Sequence, residues 1–253
     1  GQIMLSAKEK NLKPLTLTLE VLPFKLSSPK TCYDLNIDFI CSLYYRGYLS
    51  PDSEGTVSSQ QKNEQQLKAE LKDILAHGIT NPNAYFNVVK DKPEVWDERI
   101  WGWTDMKCFD KYLAIRKEVG MDSRFLLSGV RTSNPQDKTS LDSLKDRVRE
   151  IIVIAKRYGI PEVYFYGIDE AISDKLKSQR AAWNAVHEAG GKIYVTGTVQ
   201  NFDAMGDIQD LLIWGGPLSK EEAEKWHRNG KKIVSYSNPQ VGAENPDIYR
   251  RNY

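Results

Sequence analysis

The sequence predicts an α/β protein of the (β/α)8 barrel type, preceded by the end of a β-domain. From about residue 36, short apolar runs alternate with amphipathic helical segments, which is the pattern of βαβ units. Glycines that end helices recur roughly every 30 to 40 residues, close to the unit length of an eight-unit barrel of about 250 residues. They are Gly78, Gly120, Gly159, Gly190 and Gly230. A doubly wound sheet is disfavoured because no glycine-rich phosphate turn follows the first predicted strand.

The first 35 residues differ in pattern from the rest. Residues 15–21, LTLTLEV, alternate apolar and polar side chains as a half-buried strand does. The proline and serine residues of LPFKLSSPK then interrupt the alternation. We therefore interpret residues 1–35 as a terminal strand and linker of a preceding β-domain, and residues 36–253 as the barrel.

Seven apolar runs within residues 36–253 are predicted as parallel strands: 37–45, 84–89, 124–130, 162–168, 192–198, 210–215 and 232–237. A closed barrel of this type has eight strands. An open barrel would leave two strand edges unpaired. We therefore expect the natural chain to continue into an eighth unit, with closure by another chain as the alternative.

The predicted helices have recognisable ends. One apolar stripe follows Ser58 and Ser59, the expected N-caps, and ends at Gly78. A second stripe ends at Gly159. Ser219 and Glu222 have the spacing of a capping box before a helix that ends at Gly230. The stripes consist of Leu67, Leu71, Ile74 and Leu75 in the first helix, and Leu144, Val148, Ile151, Ile152 and Ala155 in the second.

Composition limits the classes of partner. The chain has 253 residues, 40% of them hydrophobic, and a formal net charge of +1. Near-neutral charge gives no electrostatic reason to expect nucleic acid or an anionic membrane, so a neutral ligand is expected. No apolar run approaches the roughly 20 residues of a membrane span. If a leader was removed, the protein is secreted or periplasmic; otherwise it is cytoplasmic.

The three cysteines, Cys32, Cys41 and Cys108, are too few and too far apart for a zinc site. They are interpreted as buried apolar residues, with a bridge between Cys32 and Cys41 left open. The histidines, His77, His187 and His227, lie near helix ends or within a helix and are interpreted as structural. The sequence has no metalloprotease, phosphate-loop or serine-hydrolase motif. We therefore expect neither a metal nor a cofactor.

Barrel enzymes place their functional residues at the carboxyl ends of the strands. In the predicted strands these positions are rich in aromatic rings and neutral hydrogen-bonding groups, which suit a sugar. The candidate binding residues are Tyr44, Tyr45, Arg46, Asn81, Asn87, Trp214, Tyr236 and Asn238. The loop after the second strand adds Trp96, Trp101 and Trp103, which either stack on a sugar ring or anchor the loop to the barrel.

Asp169 and Glu170 follow the fourth predicted strand and are the candidate catalytic residues. Two adjacent carboxyl groups can divide the roles of proton donor and anion. The alternative is that they interact with the N-terminus of the following helix.

Several segments resemble the catalytic barrel of glycoside hydrolase family 123. They are YYRG (44–47), EQQLKAELKDILAHGITNP (64–82), YFYGIDEA (164–171), AWNAVHEAGGKIYVTGT (182–198) and YSNPQVGAENPDIYRRNY (236–253). The resemblance implies a preceding β-sandwich and β-N-acetylgalactosaminidase activity by substrate-assisted retention. It also implies that Glu170 is the general acid and that Asp169 orients the acetamido group.

The seventh predicted strand provides a separate argument about the nucleophile. Retaining glycosidases with a protein nucleophile need two carboxyl groups about 5 to 5.5 Å apart. The strand ends in SYSNPQ, and Glu244 is the first acid after it. This favours a nucleophile supplied by the substrate, with Glu244 as the alternative.

Two other classes of function remain open. The first is a carbohydrate-binding or structural barrel without turnover. The second is a lyase or aldolase, which is less favoured because no lysine ends a core strand.

Overall fold

The computed structural model describes residues 42–50, 60–84 and 100–235 except 104, 133 and 218, together with short pieces of the first 23 residues. Several predicted features lie outside the described residues: the strand end at Tyr236 and Asn238, the alternative nucleophile Glu244, Asn87, Trp96, and the cysteines Cys32 and Cys41.

The strands are β1 (Gln2–Ile3), β2 (Ser6–Ala7), β3 (Lys10–Asn11), β4 (Leu15–Thr16), β5 (Tyr48–Leu49), β6 (Gln61–Lys62), β7 (Ile100–Gly102), β8 (Phe125–Ser128), β9 (Val130–Thr132), β10 (Glu162–Tyr166), β11 (Lys192–Gly197), β12 (Leu211–Trp214) and β13 (Lys232–Ser235). The helices are α1 (Glu64–Ala76), α2 (Met106–Glu118), α3 (Lys138–Arg157), α4 (Ser173–Lys177), α5 (Arg180–Glu188), α6 (Gln200–Met205) and α7 (Lys220–Arg228). In the first 16 residues, β1 pairs with β4 and β2 with β3, both antiparallel.

The main sheet has five parallel strands in the order β8, β10, β11, β12, β13. At the β8 edge, Ala84, the first residue of the second predicted strand, forms a parallel bridge with Ser128. Each of these strands lies beside its predecessor, helices connect them, and the order never reverses. A doubly wound sheet has a switch point where the order reverses. The described sheet is therefore part of a (β/α)8 barrel, and the predicted fold class is confirmed.

The first predicted strand, residues 37–45, is not regular where it is described. Residues 42–47 form no strand, although they lie beside residues 81–84. The Asn83 N–H donates to Leu43 O at 3.1 Å. The Tyr45 N–H donates to the Asn83 side chain at 2.9 Å. The Asn83 side-chain carbonyl accepts the hydrogen bond that a backbone carbonyl would accept in a regular ladder. Residues 42–47 are therefore held beside residues 81–84 without regular strand pairing.

The two faces of the main sheet contact different layers. Outward-facing residues pack on helices: a Cβ at Gly167 would lie 2.9 Å from the Trp183 ring of α5. Inward-facing positions carry Tyr164 and Tyr166 of β10 and Tyr194 of β11. Both faces are buried, because Tyr164 is 1% and Phe165 is 0% exposed. Burial on both faces explains why the strands are continuous apolar runs.

The predicted helix boundaries are partly confirmed. The expected caps Ser58 and Ser59 are wrong: Asn63 caps α1, and its side chain and that of Gln66 form a reciprocal capping box. An amide acceptor directly before the helix satisfies the free N–H groups better than serines several residues upstream. Ser219 caps α7 as predicted. Glu222 does not complete that box, because its carboxylate accepts the Trp226 indole N–H at 3.0 Å.

Asp210 links the amino-terminal ends of two strands. It accepts the Ile193 N–H at 2.8 Å, and it lies 2.7 Å from His187 Nε2. Burial alone would raise the pKa of Asp210, but the hydrogen bonds from His187 and Ile193 outweigh burial and hold the pKa below its ordinary value. The ionised carboxylate therefore favours the folded state.

We expect Asp210→Asn to lower stability most near neutral pH. A depressed carboxyl pKa contributes stability above the unfolded-state value of about 3.9 and loses it as pH falls through the folded-state pKa. The stability difference between wild type and variant should therefore shrink below about pH 4. Urea unfolding between pH 3 and 7 measures it, with Asp146→Asn on the exposed face of α3 as control. A difference independent of pH would contradict this account.

Candidate active site

The candidate carboxyl groups lie at the carboxyl edge of the sheet. β10 ends at Tyr166, and Asp169 and Glu170 follow three and four residues later, both exposed to solvent. Glu170 has φ 45° and Ser173 has φ 52°, and no other described non-glycine residue has positive φ. Such conformations cost about 1 to 3 kcal/mol each and cluster at functional sites. The loop at residues 169–173 is therefore a strained segment at the position where barrel enzymes carry out their chemistry.

The two carboxyl groups do not cap the following helix. The N-cap of α4 is Ile172, and no side chain forms a capping hydrogen bond there. The structural alternative, in which the acidic pair serves the helix N-terminus, is therefore wrong for side-chain capping. The backbone turns at Glu170, and Ala171 and Ile172 lie between the pair and the first residue of the helix, Ser173.

Asp169 is held by a side chain of β10, which in turn contacts a side chain of β11. The Tyr166 hydroxyl donates to Asp169 Oδ1 at 2.5 Å. The same hydroxyl lies 2.7 Å from Thr196 Oγ1 of β11. Because the Tyr166 proton is directed at the carboxylate, the Thr196 hydroxyl is the donor in the second bond. Burial, and then the hydrogen bond to Asp169, raises the pKa of Tyr166, which therefore remains a neutral donor.

Tyr166 and Thr196 were not among the residues predicted from the sequence. The sequence pattern that could have identified Tyr166 is the alternation of side chains along the strand, which puts Tyr164 and Tyr166 on the same face. Tyr166 also lies only three residues before Asp169. Their contact required the register that places Tyr166 opposite Tyr194. Arg131 of β9 was also missed. Its guanidinium donates to Gly167 O at 3.4 Å, near the start of the strained loop.

The residues predicted at the first strand end point in different directions. Tyr44 is 53% exposed, and the Arg46 guanidinium lies 5.9 Å from its ring centre. Tyr45 is turned towards α1, where its hydroxyl donates to Glu70 Oε2 at 2.7 Å. Burial and the neighbouring Glu70 raise the pKa of Tyr45. Tyr44 and Arg46 therefore remain accessible, whereas the Tyr45 hydroxyl is engaged with a helix.

The structure places three predicted binding residues in the interior. Trp103 is 1% exposed and donates its indole N–H to Ala84 O at 2.8 Å. Trp214 is buried on the outer face of β12 and donates to Pro217 O at 2.7 Å. Asn81 is buried and accepts from Arg116 at 2.8 Å. The two indole N–H groups and the Asn81 carbonyl oxygen are therefore already engaged in the core, whereas the buried Asn81 Nδ2 has no partner among the described residues. Trp101 lies in β7, where its backbone pairs with Arg131.

Across the part of the chain that the structure describes, no group of three or more His, Cys, Asp or Glu residues could hold a metal ion. Among the described helices, none is long and apolar enough to cross a membrane.

The fold and the site define the class: a (β/α) barrel protein with a carboxyl pair at the carboxyl edge of its sheet. No protein-family model matches the chain, and no curated protein does. A mutant O-GlcNAc hydrolase from Thermobaculum terrenum is 11% identical with a TM-score of 0.44, covering 78% of this chain and 48% of its own. A sialic acid aldolase from Ruminococcus gnavus is 12% identical with a TM-score of 0.36, covering 79% and 53%.

A sugar phosphate isomerase/epimerase from Parabacteroides distasonis is 11% identical with a TM-score of 0.40, covering 80% of this chain and 91% of its own. The chain thus spans about half the length of the first two structures. Since all three TM-scores are below 0.5, the assignment of the fold rests on the strand order, and that of the site on its geometry.

Proposed function

We propose that this protein is a glycoside hydrolase acting on 2-acetamido sugars by substrate-assisted retention. The observation that carries the proposal is the arrangement at the end of β10. Asp169 is fixed by the Tyr166 hydroxyl, and Glu170 beside it is exposed in a strained turn. The specificity for a β-N-acetylhexosaminide, in particular a galactosaminide, is inferred from the resemblance of segments such as YFYGIDEA to family 123. We also infer that residues 1–35 belong to a preceding β-sandwich-like domain.

In the proposed first step, the acetamido carbonyl oxygen of the substrate forms a bond to C1 as the bond between C1 and the leaving oxygen breaks. Glu170 gives its proton to the leaving oxygen. Asp169 accepts the acetamido N–H and stabilises the positive charge that develops on the amide. In the second step, water attacks C1 and transfers a proton to Glu170, which regenerates the acid and the acetamido group.

The neighbouring strand ends support a nucleophile from the substrate. A protein nucleophile would have to lie about 5 to 5.5 Å from the acid. Residues 197–200 after β11 and residues 214–217 after β12 contain no Asp or Glu. Glu244 lies outside the described residues and is tested as the alternative nucleophile below.

The proposed activity is tested with matched aryl β-glycosides that carry either a 2-acetamido or a 2-hydroxyl group, in both the galacto and gluco series. We expect hydrolysis only of the 2-acetamido compounds, because the 2-hydroxyl compounds lack the nucleophile. Proton NMR should show a β-configured first product. Comparable rates on both sets would contradict the mechanism. Binding of 2-acetamido sugars without hydrolysis would favour the alternative, a carbohydrate-binding barrel.

We expect Tyr166→Phe to lower kcat about 10- to 100-fold on a 2-acetamido aryl glycoside, because a hydrogen bond to a charged group is worth about 1.5 to 3 kcal/mol. KM should change little, since Tyr166 acts through Asp169. The matched control is Tyr158→Phe, which removes a 2.7 Å hydrogen bond to Asp110 far from the loop. Equal kcat losses in the two variants would assign Tyr166 a purely structural role.

A further inference from the structure

The Tyr194 hydroxyl is buried and has no hydrogen-bond partner among the described residues. Other tyrosines on this chain are engaged: Tyr45 donates to Glu70, Tyr158 to Asp110 and Tyr166 to Asp169. A buried hydroxyl without a partner carries the full cost of losing its hydration. Five other buried side-chain atoms of the described residues also lack partners: Thr80 Oγ1, Asn81 Nδ2, Arg116 Nε, Ser128 Oγ and Trp183 Nε1. Tyr194 is distinguished from them by its ring contact with Tyr166, the residue that holds Asp169.

Tyr194 lies on the inner face of β11, opposite Tyr166 in register, and the two ring centres are 5.0 Å apart in an edge-to-face arrangement. Burial, followed by the neighbouring phenols of Tyr166 and Tyr44, raises the pKa of Tyr194. The unpartnered donor is thus neutral and lies in the barrel wall beside the residue that holds Asp169.

Tyr44 is the other phenol that neighbours Tyr194. Tyr44 is half exposed, and its segment, residues 42–47, forms no strand ladder. A phenylalanine at position 194 would fill the same space without an unsatisfied hydroxyl, whereas a bound ligand that accepts the hydrogen bond would satisfy the tyrosine.

We propose that Tyr194 is a substrate-binding residue whose hydroxyl donates to a neutral oxygen of a sugar that enters beside Asp169. The acceptor is a hydroxyl or carbonyl oxygen, because the phenol is a neutral donor. The inference takes only its ligand class from the proposed function, and it applies equally to a barrel that binds sugar without hydrolysing it.

The test is isothermal titration of N-acetylgalactosamine and N-acetylglucosamine into wild type, Tyr194→Phe and Tyr164→Phe. Tyr164 is the matched control, since it also lies on the inner face but its hydroxyl has a partner, Glu162, at 3.2 Å. We expect Tyr194→Phe to weaken binding about 3- to 10-fold, the net value of one neutral hydrogen bond. Tyr164→Phe should leave the affinity unchanged.

Thermal unfolding without sugar gives a second readout. Tyr194→Phe should keep or raise the Tm, because it removes an unsatisfied group, whereas Tyr164→Phe should lower it. Unchanged affinity in Tyr194→Phe, a loss of Tm equal to that of Tyr164→Phe, or a wild type that binds neither sugar would overturn the inference. A wild type that binds through Tyr194 and hydrolyses nothing would instead overturn the proposed hydrolase function alone.

Discussion

Glu170→Gln is expected to lower turnover of glycosides with poor leaving groups about 100- to 10,000-fold, the usual contribution of general acid catalysis. A methyl or sugar leaving group needs a proton as the C1–O bond breaks, and glutamine cannot supply it. A nitrophenyl leaving group departs as a stable anion, so its turnover should fall far less. The measurement is kcat/KM for a series of 2-acetamido glycosides of decreasing leaving-group pKa, from methyl to dinitrophenyl.

The control for Glu170→Gln is Glu150→Gln on the exposed side of α3, which should leave both substrate types unaffected. The distinguishing feature is the slope of rate against leaving-group pKa, which should steepen in the Glu170 variant alone. Equal losses across the series would remove Glu170 from the role of general acid. Since Glu170 is exposed and caps no helix, its replacement should leave the Tm nearly unchanged.

Asp169→Asn is expected to lower kcat about 100- to 1,000-fold on 2-acetamido substrates, similar to the loss of one preorganised group that stabilises transition-state charge. The positive charge on the acetamido nitrogen develops only as its carbonyl attacks C1, so KM should change little. The side chain is nearly isosteric, and Tyr166 can still donate to its carbonyl oxygen. The measurement is steady-state kinetics on the matched 2-acetamido and 2-hydroxyl aryl glycosides.

Asp110→Asn is the matched control, because Asp110 also accepts a tyrosine hydroxyl at 2.7 Å but lies on α2 among the outer helices. It should leave kcat unchanged. Mass spectrometry of the reacting enzyme tests the alternative nucleophile. A glycosyl adduct on Glu244, or a 2-hydroxyl glycoside cleaved as fast as its 2-acetamido partner, would exclude substrate assistance.

The alternation of strands and helices in the barrel was predictable because each element is marked by a pattern within its own segment of sequence. Burial on both faces makes each parallel strand a continuous apolar run, and a glycine in the left-handed conformation ends the preceding helix. Gly78 has φ 83° and Gly159 has φ 80°, and each precedes a segment that joins the sheet. The position of Asp169 and Glu170 followed in the same way, since both come directly after such a run.

The sequence could not show which aromatic side chains remain accessible. Trp103 and Trp214 are of a residue type that can stack on sugar rings, but each indole N–H donates to a backbone carbonyl in the core. The first strand was also misjudged, because the Asn83 side chain replaces a backbone partner there. The contacts of Trp103 with Ala84 and of Asn83 with Tyr45 join segments distant along the chain, and that of Trp214 with Pro217 depends on the conformation of the turn after β12, so hydrophobic periodicity encodes none of them.

The sequence by itself therefore determined the class of fold and the place of the carboxyl pair, both of which follow from periodicity along one segment. Only the tertiary structure decided how the pair is held. The register of β10 against β11 brings Tyr166, Thr196 and Asp169 into one hydrogen-bonded chain and leaves the Tyr194 hydroxyl unpartnered beside it. The physical reason is that register and side-chain direction are set when strands pack together, since a shift of one residue would turn every one of these groups to the opposite face.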